Sequence, residues 1–343
     1  MVTMRDVAAK IGVSQATVSY ALRGDPSISE KTRQKVLETA QAMNYSTNLS
    51  ARSLKSGRSN AIGLVLQDLG NPYSICMANA FSTYALQHGL QIVVQQTMYQ
   101  QANETSILEH VTSAFCDAVI FSPTIVSSSR IVQQLAGKPA VLLSPSETAP
   151  ELDSIVMCCL EGAFTSTSYL LSRGCRKLLF LGRDYLPYEE AALSPNTGIQ
   201  RMAGFEQALL RNGIQPTAQQ FTLCDWTLED GYRTITELID QGVQFDGVVC
   251  TNDALALGAM RGIQDRSLRI PDDVSVIGFD GINEGAFSNP TLSTIAFDFD
   301  DIAHQAIDTI LAQLNNDDEL PAGKREPKRL IANYRLVVRR STR

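Results

Sequence analysis

Near the N-terminus, a single glycine separates two short segments with helical spacing of apolar residues, and this arrangement constrains the fold more than any other part of the sequence. The segments are predicted as helices over about 4–11 and 15–23. Gly12 between them can take the positive φ that a tight reversal requires without a Cβ clash. Ala8 is small enough for the two helix axes to approach closely. The spacing from Ala8 through Gly12 to Val18 is typical of a helix-turn-helix.

The outer face of the second helix carries polar or small side chains that suit a helix lying in the major groove of DNA. These candidate DNA-contacting residues are Ser14, Gln15, Ala16, Thr17, Ser19 and Tyr20. Ser14 also fits the N-cap position, where its hydroxyl would accept a backbone N–H of the first turn. Taken alone, the same face could also be the solvated side of an ordinary helical hairpin.

A third amphipathic segment and a local excess of positive charge favour the DNA-binding interpretation. A helix is predicted over about 30–44, and its apolar stripe would close a head of three helices. That stripe consists of Val36, Leu37, Ala40 and Met43. Arg33 lies off the stripe and is a candidate phosphate contact. Residues 1–60 hold nine Lys and Arg against four Asp and Glu, whereas the rest of the chain holds 20 against 32. A basic head on an acidic body is typical of a DNA-binding segment joined to a second module.

Residues 46–60 are polar and predict a linker with one short helical patch at about 49–55, too short to be stable alone in water. Leu54 is an apolar residue in this polar stretch, flanked by Arg52 and Lys55. One interpretation is a hinge helix that forms on DNA, with Leu54 as a minor-groove wedge and the two cations on phosphates. The alternative is a simple tether, with Leu54 packed against the body.

From residue 61 onward, short apolar runs alternate with amphipathic segments, and this alternation predicts an α/β body with parallel sheets. Strands are expected at about 61–66, 91–94, 118–121, 140–143 and 154–157, then at 177–181, 219–224, 247–250 and 274–278. Helices are expected at about 73–88, 104–115 and 130–136, then at 162–173, 199–212, 228–241 and 253–264. Two such series in tandem indicate two similar lobes with a cleft between them, and ligands in such folds bind at the carboxyl ends of the strands.

Composition and motifs disfavour several functional classes. No apolar run approaches the ~18–20 residues needed to span a membrane. No apolar signal segment opens the sequence, so a cytoplasmic location is expected. The seven cysteines include no C-x-x-C pair and are expected to be reduced; the three histidines are far apart, and neither a metal nor another cofactor is expected. No P-loop or G-x-S-x-G motif argues for catalysis, so the chain is not expected to be an enzyme.

The head contains the motifs Asp6-Val7-Ala8, Gly12-Val13-Ser14, Ala16-Thr17-Val18-Ser19, Thr32-Arg33, Asn44-Tyr45 and Ala51-Arg52-Ser53-Leu54. The body contains Asn71-Pro72-Tyr73, Arg201-x-x-Gly204-Phe205, Asn252-Asp253-x-x-Ala256-x-Gly258, the run Val274–Asp280 and the closing Leu336–Thr342. Over essentially the whole chain, these motifs resemble those of the LacI/GalR family of bacterial transcriptional repressors.

The resemblance implies a homodimer that binds a near-palindromic double-stranded operator, and a small effector, expected to be a sugar or sugar derivative, held between two lobes. It implies a head at 1–46, a hinge helix and linker at 47–60, and a body at 61–343. The body would be similar to a periplasmic sugar-binding protein, crossed three times by the chain, near 158–160, 293–296 and 322–328. The first lobe would comprise about 61–158 and 296–322, and the second about 159–293 and 326–343.

Family roles carry over only where residues match. Gln15 and Ala16 match positions that reach base edges, and Leu54 matches the family's minor-groove leucine. The matching effector-contacting positions are Tyr73, Arg201, Trp226, Asn252 and Asp280. Two departures leave the operator sequence and the effector open. Tyr20 occupies a third base-reading position and cannot make the bidentate guanine contact that Arg makes, and Cys158-Cys159 replaces a polar pair at the first crossover.

Alternatives to a ligand-controlled repressor remain at this stage. A periplasmic solute-binding protein would share the two-lobed body but not the basic helical head. An enzyme with an accessory DNA-binding domain would turn over a sugar or nucleoside, and an activator of the same family would differ in a reporter assay. The sequence shows no terminal leucine heptad, which favours a dimer over a tetramer held by a coiled coil.

Overall fold

The computed structural model describes most of the chain, and these residues form two compact units. The described residues are 2–22, 24–45, 58–112, 115–145, 147–315 and 326–343. The first unit reaches to Ser59, and the second runs from Asn60 to Arg343. The predicted hinge helix, with Arg52, Leu54 and Lys55, lies outside the described residues.

The described residues of the first unit form three helices. They are α1 (Met4–Ile11), α2 (Gln15–Leu22) and α3 (Glu30–Ala42). Thr3 and Asp6 form a reciprocal capping box at the start of α1, so two backbone N–H groups without helical partners are satisfied there. The Ser14 hydroxyl accepts the Thr17 backbone N–H at 3.0 Å at the start of α2, as predicted. Gly12 ends α1 with φ of 77°, which a Cβ would disfavour.

Small aliphatic side chains fill the core of this head. The buried members are Val7, Ala8, Val18, Ala21, Val36 and Ala40. The prediction placed Leu37 in the same core, and this was wrong, because Leu37 is 40% exposed. Val36 and Ala40 are one helical turn apart and share the inner face of α3, whereas Leu37 is rotated about 100° from Val36 toward the edge. The helix also stops at Ala42, two residues earlier than predicted.

Six strands form the first sheet of the second unit. They are β1 (Ala61–Leu66), β2 (Gln91–Gln96), β3 (Ala118–Phe121), β4 (Ala140–Leu143), β5 (Asp153–Met157) and β11 (Arg329–Ala332). Their order across the sheet is β2-β1-β3-β4-β5-β11, and every neighbouring pair is parallel. The central strands are continuous apolar runs because helices cover both faces of a parallel sheet.

The second sheet repeats this order. Its strands are β6 (Leu178–Leu181), β7 (Phe221–Thr222), β8 (Gly247–Cys250), β9 (Ser275–Asp280), β10 (Ser293–Phe297) and β12 (Tyr334–Val337). They lie in the order β7-β6-β8-β9-β10-β12, parallel except for β12, which runs antiparallel to β10. In each sheet the direction of winding changes beside the first strand, which opens a crevice at the carboxyl ends of the strands.

Helices pack on both faces of each sheet. They are α4 (Pro72–Gln87), α5 (Gln101–Ser106), α6 (Ser128–Leu135), α7 (Cys159–Ser172), α8 (Tyr188–Ala191), α9 (Thr197–Arg211), α10 (Leu228–Asp240), α11 (Asp253–Asp265) and α12 (Phe299–Asn315). Two apolar clusters flank each sheet, one on either face. The predicted helix-turn-helix head, followed in the sequence by an α/β body with parallel sheets, is therefore confirmed.

Two predicted elements differ in detail. The helix expected at 104–115 begins earlier, at α5, and continues as a π-helical turn over Ile107–Thr112. The strand expected at 219–224 shrinks to the two residues of β7, preceded by a 3₁₀ turn at Ala218–Gln220. The second change occurs in the edge strand of its sheet, where fewer neighbours impose a regular backbone.

In the part of the body that the structure describes, the chain passes between the lobes three times. The first passage falls at Cys158, between β5 and α7. The second was predicted near 293–296, and this was wrong, because those residues lie inside β10 and pair with β9. The passage follows Phe297 instead, and α12 then packs on the first lobe.

The third passage corrects the predicted lobes more substantially. It lies at Asn333, between β11 and β12, and not at 322–328. Residues 329–332 were assigned to the second lobe but pair with β5 in the first sheet. That pairing joins segments more than 170 residues apart, and a local hydrophobic pattern carries no information about such a partner.

The described residues place further limits on chemistry. None of their helices is long and apolar enough to cross a membrane. The seven cysteines are free, and four of them are buried: Cys116, Cys159, Cys175 and Cys250. Within the described part of the chain, no three His, Cys, Asp or Glu side chains gather where they could hold a metal ion.

Candidate functional site

A cavity of about 830 Å³ lies between the two sheets of the body. Its walls come from the segments that follow the carboxyl ends of strands in both lobes, as the crevice geometry predicts. The first lobe contributes Gln67, Asp68, Asn71, Tyr73, Tyr99, Ser122, Thr124 and Ser144 among others. The second contributes Arg183, Asn196, Thr197, Arg201, Asp225, Trp226, Glu229 and Asp280 among others. The volume is within the range of pockets that enclose small organic ligands.

Arg201 and Asp280 form a buried ion pair in the wall of this cavity. The Arg201 Nη2 donates to Asp280 Oδ1 at 3.0 Å, and both side chains are about 95% buried. The other terminal nitrogen of Arg201 donates to the Thr251 carbonyl, and the guanidinium carbon lies 4.0 Å from the centre of the Phe279 ring. Arg201 reaches this position from α9, whereas Asp280 ends β9. The guanidinium is therefore held by a carboxylate, a carbonyl and an aromatic face.

Asp280 occupies an unusual backbone conformation. Its φ is 114°, in the region that favours glycine, and Gly281 follows with φ of 84°. Such strain at a non-glycine residue is tolerated where the surrounding structure holds it in place, and it is found at functional sites. Burial raises the pKa of Asp280 to about 6, and the Arg201 charge and hydrogen bond oppose that rise. The carboxylate faces the cavity and can accept hydrogen bonds from ligand hydroxyls.

A second carboxyl group, that of Asp253, holds the backbone that follows Asp280, and this role was not predicted from the sequence. Asp253 is fully buried, and one of its oxygens accepts the Gly281 and Ile282 backbone N–H groups at 2.7 and 2.8 Å. The other accepts the Thr294 hydroxyl. Burial and then the Asp280 charge raise the pKa of Asp253 to about 8, against these hydrogen bonds. The motif Asn252-Asp253 pointed to this position, but the sequence prediction assigned a role only to Asn252.

Trp226 lines the cavity, and its one polar group is hydrogen-bonded to the protein backbone. Its indole N–H donates to the Gly182 carbonyl at 3.0 Å. The ring packs against α9 at Gly198, where a Cβ would come within 2.6 Å of it. The guanidinium carbon of Arg201 lies 5.4 Å from the indole centre. An apolar face beside an ion pair suits a ring that also carries polar groups.

Asn252 does not line the cavity, contrary to the predicted effector contact. It is buried, and its side-chain oxygen accepts the Leu255 N–H as the N-cap of α11. Its amide nitrogen donates to the Trp226 carbonyl at 3.1 Å. Both ends of the amide are therefore engaged with the protein, and Asn252 positions Trp226 instead of meeting a ligand.

The remaining predicted contact, Tyr73, lies in the first-lobe wall at the start of α4. Its ring packs edge-on against Phe299 with ring centres 5.6 Å apart. Burial raises the pKa of Tyr73, and the charge of Asp280 adds to the rise. Four of the five predicted effector positions thus meet in one cavity. Several polar wall residues were not predicted, because they follow strands whose carboxyl ends meet only in the folded chain: Asp68, Tyr99, Arg183, Asp225 and Glu229.

In the head, the predicted DNA-contacting residues of α2 lie on one side but differ in exposure. Gln15, Ala16 and Tyr20 are exposed, and Thr17 and Ser19 are half-buried. The Ser14 and Thr17 hydroxyls bond to each other at 2.9 Å, so the Ser14 side chain acts as a cap. On α3, the half-buried Arg33 pairs with Glu30 at 3.7 Å. Arg52, Leu54 and Lys55 lie outside the described residues.

Comparisons with known proteins match both units. The sequence profile of the periplasmic binding protein-like domain matches residues 167–342, which is half of the chain. The profile of the lacI family of bacterial regulatory proteins matches residues 3–48.

Relatives and a solved structure extend the match over the full length. The chain is 28% identical to the HTH-type transcriptional repressor PurR of Glaesserella parasuis, covering 100% of this chain and 99% of that protein. It is 27% identical to the repressor CytR of Escherichia coli strain K12, covering 99% and 96%. It is similar to the Lac repressor dimer bound to operator and the anti-inducer ONPF, with a TM-score of 0.80, 25% identity and 99% of each chain covered. The chain therefore belongs to the LacI family of bacterial transcriptional regulators, with a DNA-binding helix-turn-helix head and a periplasmic-binding-protein-like body.

Proposed function

We propose that this chain is a homodimeric repressor whose affinity for a near-palindromic operator is controlled by a small effector in the cavity between the lobes. The observation that carries the proposal is the buried Arg201–Asp280 pair in a cavity of about 830 Å³, on a chain that also has a helix-turn-helix head. The Lac repressor, a dimer bound to operator, supports the same organisation here.

In the head, α2 reads the major groove. Gln15 and Ala16 meet base edges, Tyr20 occupies a third reading position, and Thr17 and Ser19 flank them. Ser14 fixes the N-terminus of the helix by capping, and Arg33 meets a phosphate. The hinge residues Arg52, Leu54 and Lys55 belong to this proposal from their sequence alone: Leu54 inserts in the minor groove between two phosphate-binding cations.

In the body, the effector is a sugar or sugar derivative. Asp280 accepts hydrogen bonds from its hydroxyls, Arg201 offers donors, Trp226 covers a ring face, and Tyr73 closes the opposite wall. Effector binding changes the angle between the lobes and thereby the stability of the hinge segment on DNA. The effector shifts that equilibrium only by its differential affinity for the two states, typically about 1–3 kcal/mol.

The domain limits proposed here are a head at 1–46, a hinge at 47–60 and a body from 61 onward, with 329–332 moved to the first lobe. The protein acts in the bacterial cytoplasm, where its operator is, and performs no turnover. The two relatives PurR and CytR, both transcriptional repressors, support this assignment.

Selection of duplexes from a palindromic random library by the purified full chain tests the proposal. We expect a two-fold symmetric consensus whose binding weakens steeply with salt, because Lys and Arg of the head displace condensed counterions. A thermal-shift screen of sugars, nucleosides and phosphosugars then identifies the effector, since a ligand of the native state raises stability by mass action. A reporter assay distinguishes repression from activation. No enrichment over random competitor, with or without these ligands, would refute the proposal.

A further inference from the structure

Six charged side chains among the described residues line the cavity, and their signs are unequal. Four are acidic and two are arginines: Asp68, Asp225, Glu229, Asp280, Arg183 and Arg201. Among the cavity-lining residues that the structure describes, none is a lysine or a histidine. The cavity wall therefore carries more carboxylates than guanidinium groups, in a body that is itself strongly acidic.

One of the two arginines is already neutralised. Arg201 is 95% buried, pairs with Asp280 at 3.0 Å, donates to the Thr251 carbonyl and stacks on Phe279. A buried pair of this kind presents almost no net charge to a ligand. The other charged groups of the wall are one guanidinium, that of Arg183, and three carboxylates, those of Asp68, Asp225 and Glu229.

These four groups are not neutralised by the rest of the wall. Arg183, Asp225 and Glu229 form no hydrogen bond or ion pair with another described residue through their side chains. Asp68 accepts the Gly70 backbone N–H at 2.7 Å, and this donor carries no formal charge. Asp225 and Glu229 are exposed at the wall, whereas Asp68 and Arg183 are half-buried.

Tyr99, in the first-lobe wall, is also affected by the excess of carboxylates. It follows β2 in the wall, and both Met98 and Tyr99 take positive φ, at 54° and 55°. Partial burial, and then the nearby charges of Asp68 and Asp280, raise the pKa of the Tyr99 phenol. Of these two carboxylates, Asp68 has the larger effect and has no cationic partner among the described residues, so its charge acts on this point of the cavity, and a concave site focuses such a field.

We infer that the cavity selects an uncharged or ammonium-bearing ring compound, such as an unphosphorylated oligosaccharide or an amino sugar, and rejects phosphorylated or carboxylated ligands. The discriminating residues are Asp68, Asp225 and Glu229, none of which contacts the buried ion pair. The inference rests on the proposed function only in naming the occupant an effector; the field itself is a property of the cavity.

Trp226 allows a test that needs no identified ligand, since it is the only tryptophan in the sequence and lines the cavity. Its emission is quenched in the full chain with iodide, caesium and neutral acrylamide at low, matched ionic strength. Each quenching constant is divided by the constant of the same quencher with N-acetyltryptophanamide. The normalised constants of iodide and caesium are then compared with the normalised constant of acrylamide. We expect the normalised caesium constant to exceed the iodide constant by at least about twofold, and the difference to shrink as salt screens the field.

Variants test whether charged residues of the cavity wall cause the difference between caesium and iodide quenching. Asp225→Asn and Glu229→Gln remove exposed charges, so they should raise iodide quenching relative to acrylamide, whereas Arg183→Gln should lower it further. Glu237→Gln, an exposed charge on the same helix as Glu229 but outside the cavity, is the matched control and should change nothing. Iodide quenching equal to or above that of caesium in the unmodified chain, or an equal response to Glu237→Gln, would overturn the inference.

A ligand comparison gives a second measurement. Glucose, glucosamine and glucose 6-phosphate, and the corresponding forms of a disaccharide, are compared by thermal shift. Stabilisation by a neutral or amino form that exceeds that of its phosphate supports the inference, and stabilisation by a phosphate form alone contradicts it. Quenching is measured without DNA. A chain that selects no operator would therefore refute the proposed function, while the quenching constants would still test the charge of the cavity.

Discussion

The Nη2 of Arg201 lies 3.0 Å from Asp280 Oδ1, and this contact joins a helix of the second lobe to the strained end of its central strand β9. Both charges are buried, so each has lost most of its hydration, and each depends on the other for compensation. The pair therefore couples the stability of the second lobe to the chemistry of its ligand cavity.

A double-mutant cycle measures this dependence. Arg201→Met leaves a buried carboxylate unpaired, and Asp280→Asn leaves a buried guanidinium unpaired, so each is expected to cost about 3–5 kcal/mol of the free energy of unfolding. Asparagine is chosen because it tolerates the positive φ at this position. The double variant should cost clearly less than the sum, as measured by urea denaturation of the full chain. Additive costs would contradict mutual compensation.

The stability of the body should fall as pH rises, because the buried carboxyl group of Asp253 has a pKa well above the usual 3.8. With a folded-state pKa of about 8, Asp253 contributes stability that is fully present below about pH 4. That stability is lost as pH rises through the folded-state value, since ionisation in a buried site is disfavoured.

Asp253→Asn isolates the upper part of this profile. Between about pH 6 and pH 8, the unfolding free energy of the unmodified chain should decline by at most about 1.4 kcal/mol per pH unit through Asp253. The variant should be flatter over this range, whereas the exposed Asp300→Asn should keep the original slope. Denaturation series at several pH values provide the measurement, and an unchanged slope in Asp253→Asn would refute the assignment.

Asn252→Ser should loosen Trp226 without removing the helix cap. A serine hydroxyl still accepts the Leu255 N–H, but it cannot also donate to the Trp226 carbonyl. We expect acrylamide to quench Trp226 more strongly, at a stability cost of about 1 kcal/mol for the lost hydrogen bond. Asn71→Ser, the same exchange at the N-cap of α4, serves as control, and equal quenching in both variants would argue against the positioning role.

Gly204→Ala should disturb the helix that carries Arg201. A Cβ at Gly204 would lie 2.1 Å from the Leu160 carbonyl oxygen, so α7 and α9 would have to separate. We expect the free energy of unfolding to fall by about 1–3 kcal/mol, as at other overpacked sites, and effector binding to weaken. At Gly285, the nearest atom to an added Cβ is 3.4 Å away, so Gly285→Ala should be mild. Thermal melts and effector titrations compare the two, and equal melting temperatures would contradict the close approach of the helices.

Gln15→Ala should weaken binding to the selected operator by about 1–3 kcal/mol while sparing non-specific DNA. Gln15 is exposed at the start of α2, where a recognition helix meets base edges. Gln34→Ala, on the exposed side of α3, is the control and should leave the specificity ratio unchanged. Fluorescence anisotropy on operator and random duplexes measures both, and equal losses on the two duplexes would remove Gln15 from base recognition.

Much of this architecture was predictable because the relevant signals are local. The bounds of α1 agree with the prediction because Thr3, Gly12 and the apolar spacing all act within a few residues. The strands β1, β3, β4 and β8 are short apolar runs, which is how strands buried on both faces read in a sequence. Arg201 and Asp280 were also identifiable as members of one site, but through family motifs and not through their spacing.

The sequence by itself determined the helix-turn-helix head, the alternation of strands and helices and the unequal charge of the two parts, because each depends on neighbouring residues or on simple counts. Only the tertiary structure decided that β11 joins the first sheet, that Asn252 holds Trp226 instead of a ligand, and that Asp253 carries the turn at Gly281. These outcomes depend on which distant segments meet, and on whether a polar group is already satisfied where they do. Neither is encoded in the spacing of residues along the chain.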